Sequence, residues 1–329
     1  MSTLIRQLDM ELFGGCNYTC QMCPQGFEDG RESDFKKSLN MQNFHKIVDD
    51  AIEHGVESIS LHGGGEPTLH KNFIECIHYI KKKDVKCVSF SNGYTLNNQL
   101  ISEIANSGLD IFRVSVIGYS KETYREWMDC DGFNQVRENV KKLVKACKHT
   151  NTEVHANHLI IQPDLKEWEI QKYRENWVDY TGTQSEIWLM HNWSGGYDTP
   201  YARSKLLTEV KPRSCGRPFA DLLQVRAGGI GRHTGAVVAC CMVLGKDSTA
   251  VLGHLDDQSI EDVVSGEEYE KLRRAHRNGR FEDVSYCKDC DQLLDVPDAL
   301  VWSNIPDRSY GQSKISTNLD HRTFVPNKE

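Results

Sequence analysis

An α/β fold, an open, partial (βα)6 barrel followed by a small cysteine-rich extension, is predicted for this 329-residue chain by three observations. Short β-rich runs alternate with amphipathic helical stretches through the first 190 residues, which implies a parallel sheet with helices on its outer face. Six such units are present, too few to close an eightfold barrel. Beyond residue 210 the alternation gives way to turns, short β-like runs and clustered cysteines.

Each element has its own signal. LDMELF (8–13) is a strand running into a loop with three cysteines. Phe44, Ile47, Val48, Ala51 and Ile52 form a helical apolar face ended by Gly55. VESISLH (56–62) is the second strand and runs into GGGEP; Phe73, Ile74, Ile77 and Ile80 mark the next helix. VKCVSF (85–90) is the third strand, followed by SNG and a helix on Leu100, Ile101, Ile104 and Ala105 closed by Gly108. IFRVSV (111–116) leads to a helical region clearest over 136–146, EVHANHLII (153–161) to a Trp-rich helix around 168–177, and SEIWLMH (185–191) is the sixth strand. In a barrel of this kind chemistry sits at the C-terminal strand ends, and the conspicuous loops all follow strands. Farther on, LLQVRA, AVVACCMV and AVLGHL are β-like, 259–276 reads as one helix, and the polar residues after Cys290 are expected to wrap over the surface.

Composition narrows the partners. Thirty-nine basic against forty-seven acidic residues give a formal charge of −8, so no broad nucleic-acid footprint is expected. The basic run 271–280 sits beside GEEYE and reads as a solvated helix face. No apolar run has the length of a membrane span, and the N-terminus lacks the apolar core of a signal peptide, so no membrane partner and a cytoplasmic location are expected. Twelve cysteines in a reducing compartment point to metal or redox chemistry rather than a disulfide framework.

Seven of them form two groups. Cys16, Cys20 and Cys23, in CNYTCQMC, have the spacing C-x3-C-x2-C, which lets one tight loop present three thiolates to one metal centre. A closed zinc site takes four ligands, and an electron-transfer cubane is held by four cysteines. The triplet is therefore either a zinc loop with a distant fourth ligand or a four-iron cluster with one iron open to a non-protein ligand.

In this spacing the triplet resembles the radical SAM enzymes. The resemblance implies a [4Fe–4S] cluster whose open iron binds S-adenosylmethionine (SAM), which is cleaved to a 5′-deoxyadenosyl radical, and it implies the same partial (βα)6 TIM-like barrel. Gly63, Gly64, Gly65 and Glu66 after the second strand resemble the family's GGE motif, which binds the methionine amino group. Ser91 and Asn92 resemble its TNG-type turn. Ser115 on the fourth strand stands where a polar side chain meets the SAM ribose or carboxylate, and Asn157 on the fifth is of the same kind. Tyr18 either packs near adenine or packs the loop.

Cys215, Cys240, Cys287 and Cys290, with Gly235 to Cys240 spaced G-x4-C and a closing C-x2-C, resemble the SPASM/Twitch extension of this family. With no cysteine after Cys290, the shorter Twitch form with one auxiliary [4Fe–4S] cluster is expected, a four-cysteine zinc site being the alternative. The expected organisation is a core over 1–195, a linker over 196–212, the auxiliary-cluster domain over 213–295 and a tail over 296–329. Cys76, Cys87 and Cys147 read as core residues.

The expected function is oxidation at a hydroxyl-bearing carbon of a small polar molecule such as a sugar or aminoglycoside, with the auxiliary cluster accepting an electron. A low-potential donor of flavodoxin or ferredoxin type would reduce the first cluster. The alternatives are an epimerase in which Cys241 or Cys130 returns a hydrogen atom, a peptide-modifying enzyme, and a non-catalytic iron–sulfur or zinc scaffold. Only fifteen residues precede Cys16, which leaves no room for a leader-binding domain and favours a small substrate. HNWSGG (191–196) suits stacking on a sugar ring or packs on its own tryptophan.

Overall fold

The computed structural model describes residues 4–23, 26, 36–197, 214–243, 248–291, 300–306 and 323–324. Six strands, β1 (Gln7–Met10), β2 (Ser58–Leu61), β3 (Lys86–Ser91), β4 (Ile111–Ser115), β5 (Glu153–Ile160) and β6 (Gln184–Leu189), stand side by side in chain order. Every neighbouring pair among them is parallel. Parallel neighbours need crossover connections, and these run through α1 (Met41–Glu53), α2 (Phe73–Lys82), α3 (Asn98–Asn106), α4 (Lys121–Met128), α5 (Phe133–Cys147) and α6 (Lys166–Tyr173). The partial (βα)6 barrel expected from the sequence is present.

Helix boundaries follow local chemistry. The Asn40 side chain accepts from Asn43 N at 2.8 Å to cap α1, whose Phe44, Ile47, Val48 and Ala51 are buried. Gly55, at φ 99°, follows it in the left-handed conformation that closes a helix without a Cβ clash. The broad helical region before residue 147 is two helices: Ser120 and Thr123 make a capping box for α4, and Asp129, at φ 49°, ends it before α5 begins. After α6 a π turn, Arg174–Val178, leads into the single turn α7 (Asp179–Thr181). Trp177 on that turn is fully buried, and its indole N–H donates to Gly118 O at 2.9 Å.

Strand side chains alternate between faces. Leu8, Met10, Ile59, Leu61, Phe112 and Val114 join the helices in the main core. The inward face carries Asp9, Ser60, Arg113, His155 and Glu186, all buried, beside a small apolar patch of Val88, Ile111 and Phe90. The barrel interior is therefore polar.

The sheet extends beyond the six strands. After β7 (Ser214–Cys215), β8 (Leu222–Arg226) pairs in parallel with β1 on its open edge. From β8 the sheet continues antiparallel through β9 (Ala236–Val238) and β10 (Val251–His254). At the other edge β11 (Leu300–Ser303) pairs antiparallel with β6, and β12 (Thr323–Phe324) pairs with β7. Two expectations are corrected. The single helix over 259–276 is broken at Ser265–Gly266 into α8 (Ile260–Val264) and α9 (Glu267–Arg277), because Gly266 takes an extended backbone, φ −69° and ψ 161°, at the N-cap of α9. The tail supplies an edge strand at 300–303 rather than only a surface wrap. Most of the expected linker, 198–213, and most of the chain after 306 lie outside the described residues. Among the described residues no helix is long and apolar enough to cross a membrane.

A buried hydrogen-bonded pair, His158 and Glu169, holds the β5–α6 junction. Glu169 accepts from His158 Nε2 at 2.7 Å, Ile161 N at 2.9 Å and Gln162 N at 2.7 Å, with both side chains fully buried. Glu169→Ala leaves three buried donors unpaired and is expected to lower unfolding stability by about 3–5 kcal/mol, read from urea denaturation.

Candidate active site at the barrel mouth

The loop after β1 carries the first three thiols. It is fastened to α4 by Gln21 N donating to Trp127 O at 2.9 Å and by Thr19 Oγ1 donating to Asp129 Oδ2 at 2.6 Å. Within it Cys23 N donates to Cys20 O at 2.9 Å, and Tyr18 N donates to Cys16 Sγ at 3.4 Å. None of the three cysteines is in a disulfide, and all are partly buried. Burial, and then the neighbouring charge of Glu66 and Cys23, push the Cys16 thiol up to about 11. Burial followed by Cys23 and Cys16 drives Cys20 upward as well. The three thiols thus lie within electrostatic reach of one another, in a setting where a bound cation would deprotonate them.

The glycine turn after β2 is packed directly on this loop. A Cβ on Gly65 would overlap Phe13 O and lie 2.5 Å from Gly15 O, and one on Gly63 would overlap the Glu11 carboxylate. Gly64 N donates to Glu11 Oε2 at 2.6 Å, and Glu66 N donates to Gly15 O at 2.9 Å. Glu66 is 2 % exposed. One carboxylate oxygen accepts from Thr68 N (3.1 Å) and the Thr68 hydroxyl (2.6 Å), the other from Asn92 N (2.7 Å). Burial raises its pKa, and these hydrogen bonds pull it back. The Asn92 side chain in turn donates to Asn17 Oδ1 at 2.8 Å and reaches Cys16 Sγ at 3.9 Å, while Ser91 Oγ accepts from Gly93 N at 3.0 Å. The loops after β1, β2 and β3 are therefore one hydrogen-bonded unit. Ser115 and Asn157 are register partners on β4 and β5, both half-buried. Tyr18 is buried in loop packing, its hydroxyl 3.2 Å from Tyr124 Oη and its ring edge-on to Tyr94.

The inward face below this mouth carries charged groups the sequence reading did not single out. Arg113 Nη1 donates to Glu186 Oε2 at 2.8 Å. Asp9 accepts from Gln224 Nε2 at 2.5 Å and lies 3.7 Å from His62 Nε2. Arg226 on β8 donates to Val243 O at 3.0 Å and Cys241 O at 3.4 Å, so the 240–243 turn is tethered to the barrel wall. Polar residues at every second position of VESISLH, IFRVSV and EVHANHLII were the available signal.

The second thiol set lines one cavity: Cys215, Cys240, Cys287 and Cys290, together with Arg217 and Ser194. Burial, then Cys241, push Cys240 up to about 11. Burial opposes the Arg217 charge, but the thiols of Cys241, Cys215, Cys240 and Cys290 outweigh that and hold the guanidinium firmly protonated. The loop after β6 closes over this cavity. Asn192 N donates to Asp291 Oδ2 at 2.9 Å and Asn192 Nδ2 to Asp289 O at 2.8 Å, and Trp193 and Ser194 take left-handed φ values of 48° and 60°. Left-handed backbone at consecutive non-glycine residues costs free energy and marks a position fixed by its surroundings.

The two remaining candidate thiols are separated. Cys241 does not line the cavity and sits at its junction with the barrel wall through the Arg226 tether. Cys130 lies in the α4–α5 turn, beside Tyr18 Oη and near Cys20. Cys76, Cys87 and Cys147 are buried core residues, as expected. In the basic run, Lys271 and Arg277 pair with glutamates on α9 and Arg280 pairs with Asp283, whereas Arg273 turns inward to Pro218 O and Val264 O.

Residues 10–173 match the family model described as the radical SAM superfamily, and residues 232–291 match the SPASM model, an iron–sulfur cluster-binding domain. Cys240, Cys287 and Cys290 fall inside the second match and Cys215 precedes it. The chain is 23% identical over 337 residues, 92% of its length and 93% of the relative's, to the tungsten-containing aldehyde ferredoxin oxidoreductase cofactor-modifying protein of Pyrococcus furiosus. It is 30% identical over 142 residues, 43% of its length, to a probable GTP 3′,8-cyclase of Sulfurisphaera tokodaii, and spans 44% of that relative. Among solved structures it resembles BtrN in complex with AdoMet and 2-DOIA, with a TM-score of 0.59 at 17% identity over 88% of this chain and 94% of that one. It also resembles Streptococcus suis SuiB bound to precursor peptide SuiA, with a TM-score of 0.61 at 13% identity over 88% and 72%. At these identities the structural likeness is one of fold.

Proposed function

The chain belongs to the radical SAM superfamily and carries a SPASM-type iron–sulfur domain, and from that premise we propose that it oxidises a hydroxyl-bearing carbon of a small polar molecule. SAM, a [4Fe–4S] cluster and an auxiliary iron–sulfur cluster belong with these two domains. The donor sets suit them: three thiols gather in the loop after β1, and four line one cavity beyond β6. In this reading Cys16, Cys20 and Cys23 hold the first cluster, and Cys215, Cys240, Cys287 and Cys290 hold the second. When bound, these groups supply a radical that abstracts hydrogen from the substrate carbon and an acceptor for the second electron of the oxidation.

The protein's share is placement. Gly63 and Gly65 let the turn close against the loop after β1 where a side chain would clash, Gly64 lies between them, and Glu66 offers a carboxylate to the SAM amino group from a site braced by Thr68 and Asn92. Ser91 and Asn92 stand at the end of β3 and Ser115 at the end of β4, while Asn157 is the register partner of Ser115 within β5; these supply hydroxyls and amides. Tyr18 supports the loop from behind. The observation that carries oxidation over other outcomes is the complete four-thiol cavity, whose 240–243 turn is fastened to the barrel wall by Arg226. BtrN, bound to AdoMet and 2-DOIA, supports a small-molecule substrate, and SuiB, bound to a precursor peptide, supports peptide modification as the runner-up. A flavodoxin- or ferredoxin-type protein is the expected reductant.

Epimerisation is favoured by one observation, the position of Cys241 between the cavity and the barrel wall. The two reactions separate in deuterated solvent. Oxidation is expected to leave no solvent deuterium at the reacting carbon and to survive Cys241→Ala with turnover within about threefold, because no step needs that thiol. Deuterium incorporation together with loss of turnover in Cys241→Ala would assign epimerisation instead.

A further inference from the structure

The two thiol sites sit in opposite electrostatic surroundings. At the first, the Glu66 carboxylate accepts from Asn92 N at 2.7 Å and the Asn92 side chain reaches Cys16 Sγ at 3.9 Å, so an acidic group stands one residue away from the thiols. At the second, Arg217 lines the cavity together with Cys215, Cys240, Cys287 and Cys290. Arg217 comes from the 3-10 turn Arg217–Phe219 directly after Cys215, and its backbone N–H donates to Cys215 Sγ at 3.5 Å. Among the described residues its half-buried side chain has no carboxylate partner. Ser194 lines the same cavity, and its hydroxyl is buried without any hydrogen-bond partner. It is held there by a left-handed backbone at 193 and 194 and by the close packing of Gly195 against Asp289. Arg217 and Ser194, from separate elements, therefore line the same thiol-lined cavity, and among the described residues neither side chain makes a hydrogen bond.

We propose that Arg217 and Ser194 are positioning residues for the auxiliary cluster, supplying a positive charge and a hydrogen bond that raise its reduction potential. The proposal rests on the reading that this cavity holds an iron–sulfur cluster. The physical ground is general: a thiolate-ligated cluster becomes more negative on reduction, so a nearby cation and donors to its sulfurs favour the reduced form. The effect is larger in a cavity shielded from water. Glu66 beside the first site works in the opposite sense. The pair of sites would thus be graded, with the low-potential cluster at the SAM loop and the higher-potential one able to accept an electron.

The test uses the full chain carrying Cys16/Cys20/Cys23→Ala, reconstituted anaerobically so that only the auxiliary cluster remains, with its midpoint potential read by EPR-monitored redox titration. Arg217→Gln is expected to lower the oxidised-to-reduced balance point by at least tenfold, about 59 mV for a one-electron couple. Arg217→Lys, which keeps the charge, should stay closer to the parent, and Ser194→Ala should give a smaller fall of the same sign. Iron-loaded Arg217→Gln with the parent potential overturns the proposal. Should that variant fail to take up iron, an unchanged potential in Ser194→Ala overturns it equally. Zinc in place of iron at this site overturns both the proposal and the cluster reading. Shifted potentials in a protein that forms no oxidised product would uphold the proposal and sink the oxidative function, so the two failures are distinct.

Discussion

Replacing Cys20 with alanine is expected to abolish reductive cleavage of SAM, with 5′-deoxyadenosine falling to the detection limit, and to remove about four irons per chain. Cys20 is the middle member of a triplet whose loop is held on both sides, by Cys23 N on the Cys20 carbonyl and by Gln21 N on Trp127 O. No other described thiol can replace it from a ligand position. Cys130 is near, but it belongs to the α4–α5 turn and lies against Tyr18. The fold should survive, because the partly buried Cys20 packs at the margin of the core and its side chain's hydrogen-bond contact, to the Met128 thioether at 3.9 Å, is a weak one. Circular dichroism and thermal unfolding close to the wild type, beside lost SAM cleavage, are the expected pair of results. Retained SAM cleavage in Cys20→Ala would remove this loop from the chemistry.

Gly65→Ala is the second large effect, and it acts through backbone geometry rather than chemistry. The added methyl would meet Phe13 O and Gly15 O, both main-chain atoms that cannot rotate away as a side chain can. Relief requires the glycine turn to lift from the loop after β1, which breaks the hydrogen bond from Glu66 N to Gly15 O and displaces the Glu66 carboxylate. SAM affinity is expected to fall at least about a hundredfold, as a shift on the order of 3 kcal/mol implies. Iron at the first site should fall with it, while the auxiliary cluster stays loaded. Equilibrium SAM binding and iron content measured on the same preparation check both halves.

The barrel was legible from the chain because strand and helix periods alternate cleanly and two of the helices carry a glycine stop signal, Gly55 at φ 99° and Gly108 at φ 80°. The SAM-side loops were legible for a different reason: C-x3-C-x2-C and GGGE are local patterns, and local patterns survive without tertiary knowledge. What pattern reading could not supply is whatever depends on contact between distant segments. That β8 adds to the open edge of β1 needs residues 7 and 222 side by side, and nothing in either run declares the partner. The break in the 259–276 helix turns on the extended backbone of Gly266, although the glycine itself was visible. The inward charges Arg113 and Glu186 were hidden by being seventy-three residues apart, and each alone looks like an ordinary surface residue. The meeting of Ser194 with Arg217 across the second cavity was hidden in the same way.

The most direct test of the whole account is metal content with low-temperature EPR on anaerobically reconstituted protein, wild type beside Cys16/Cys20/Cys23→Ala. Two clusters predict about eight irons per wild-type chain falling to about four in the variant, with a reducible signal surviving from the C-terminal site. Iron falling to none with zinc retained would make the second cavity structural and deprive the oxidation of its electron acceptor.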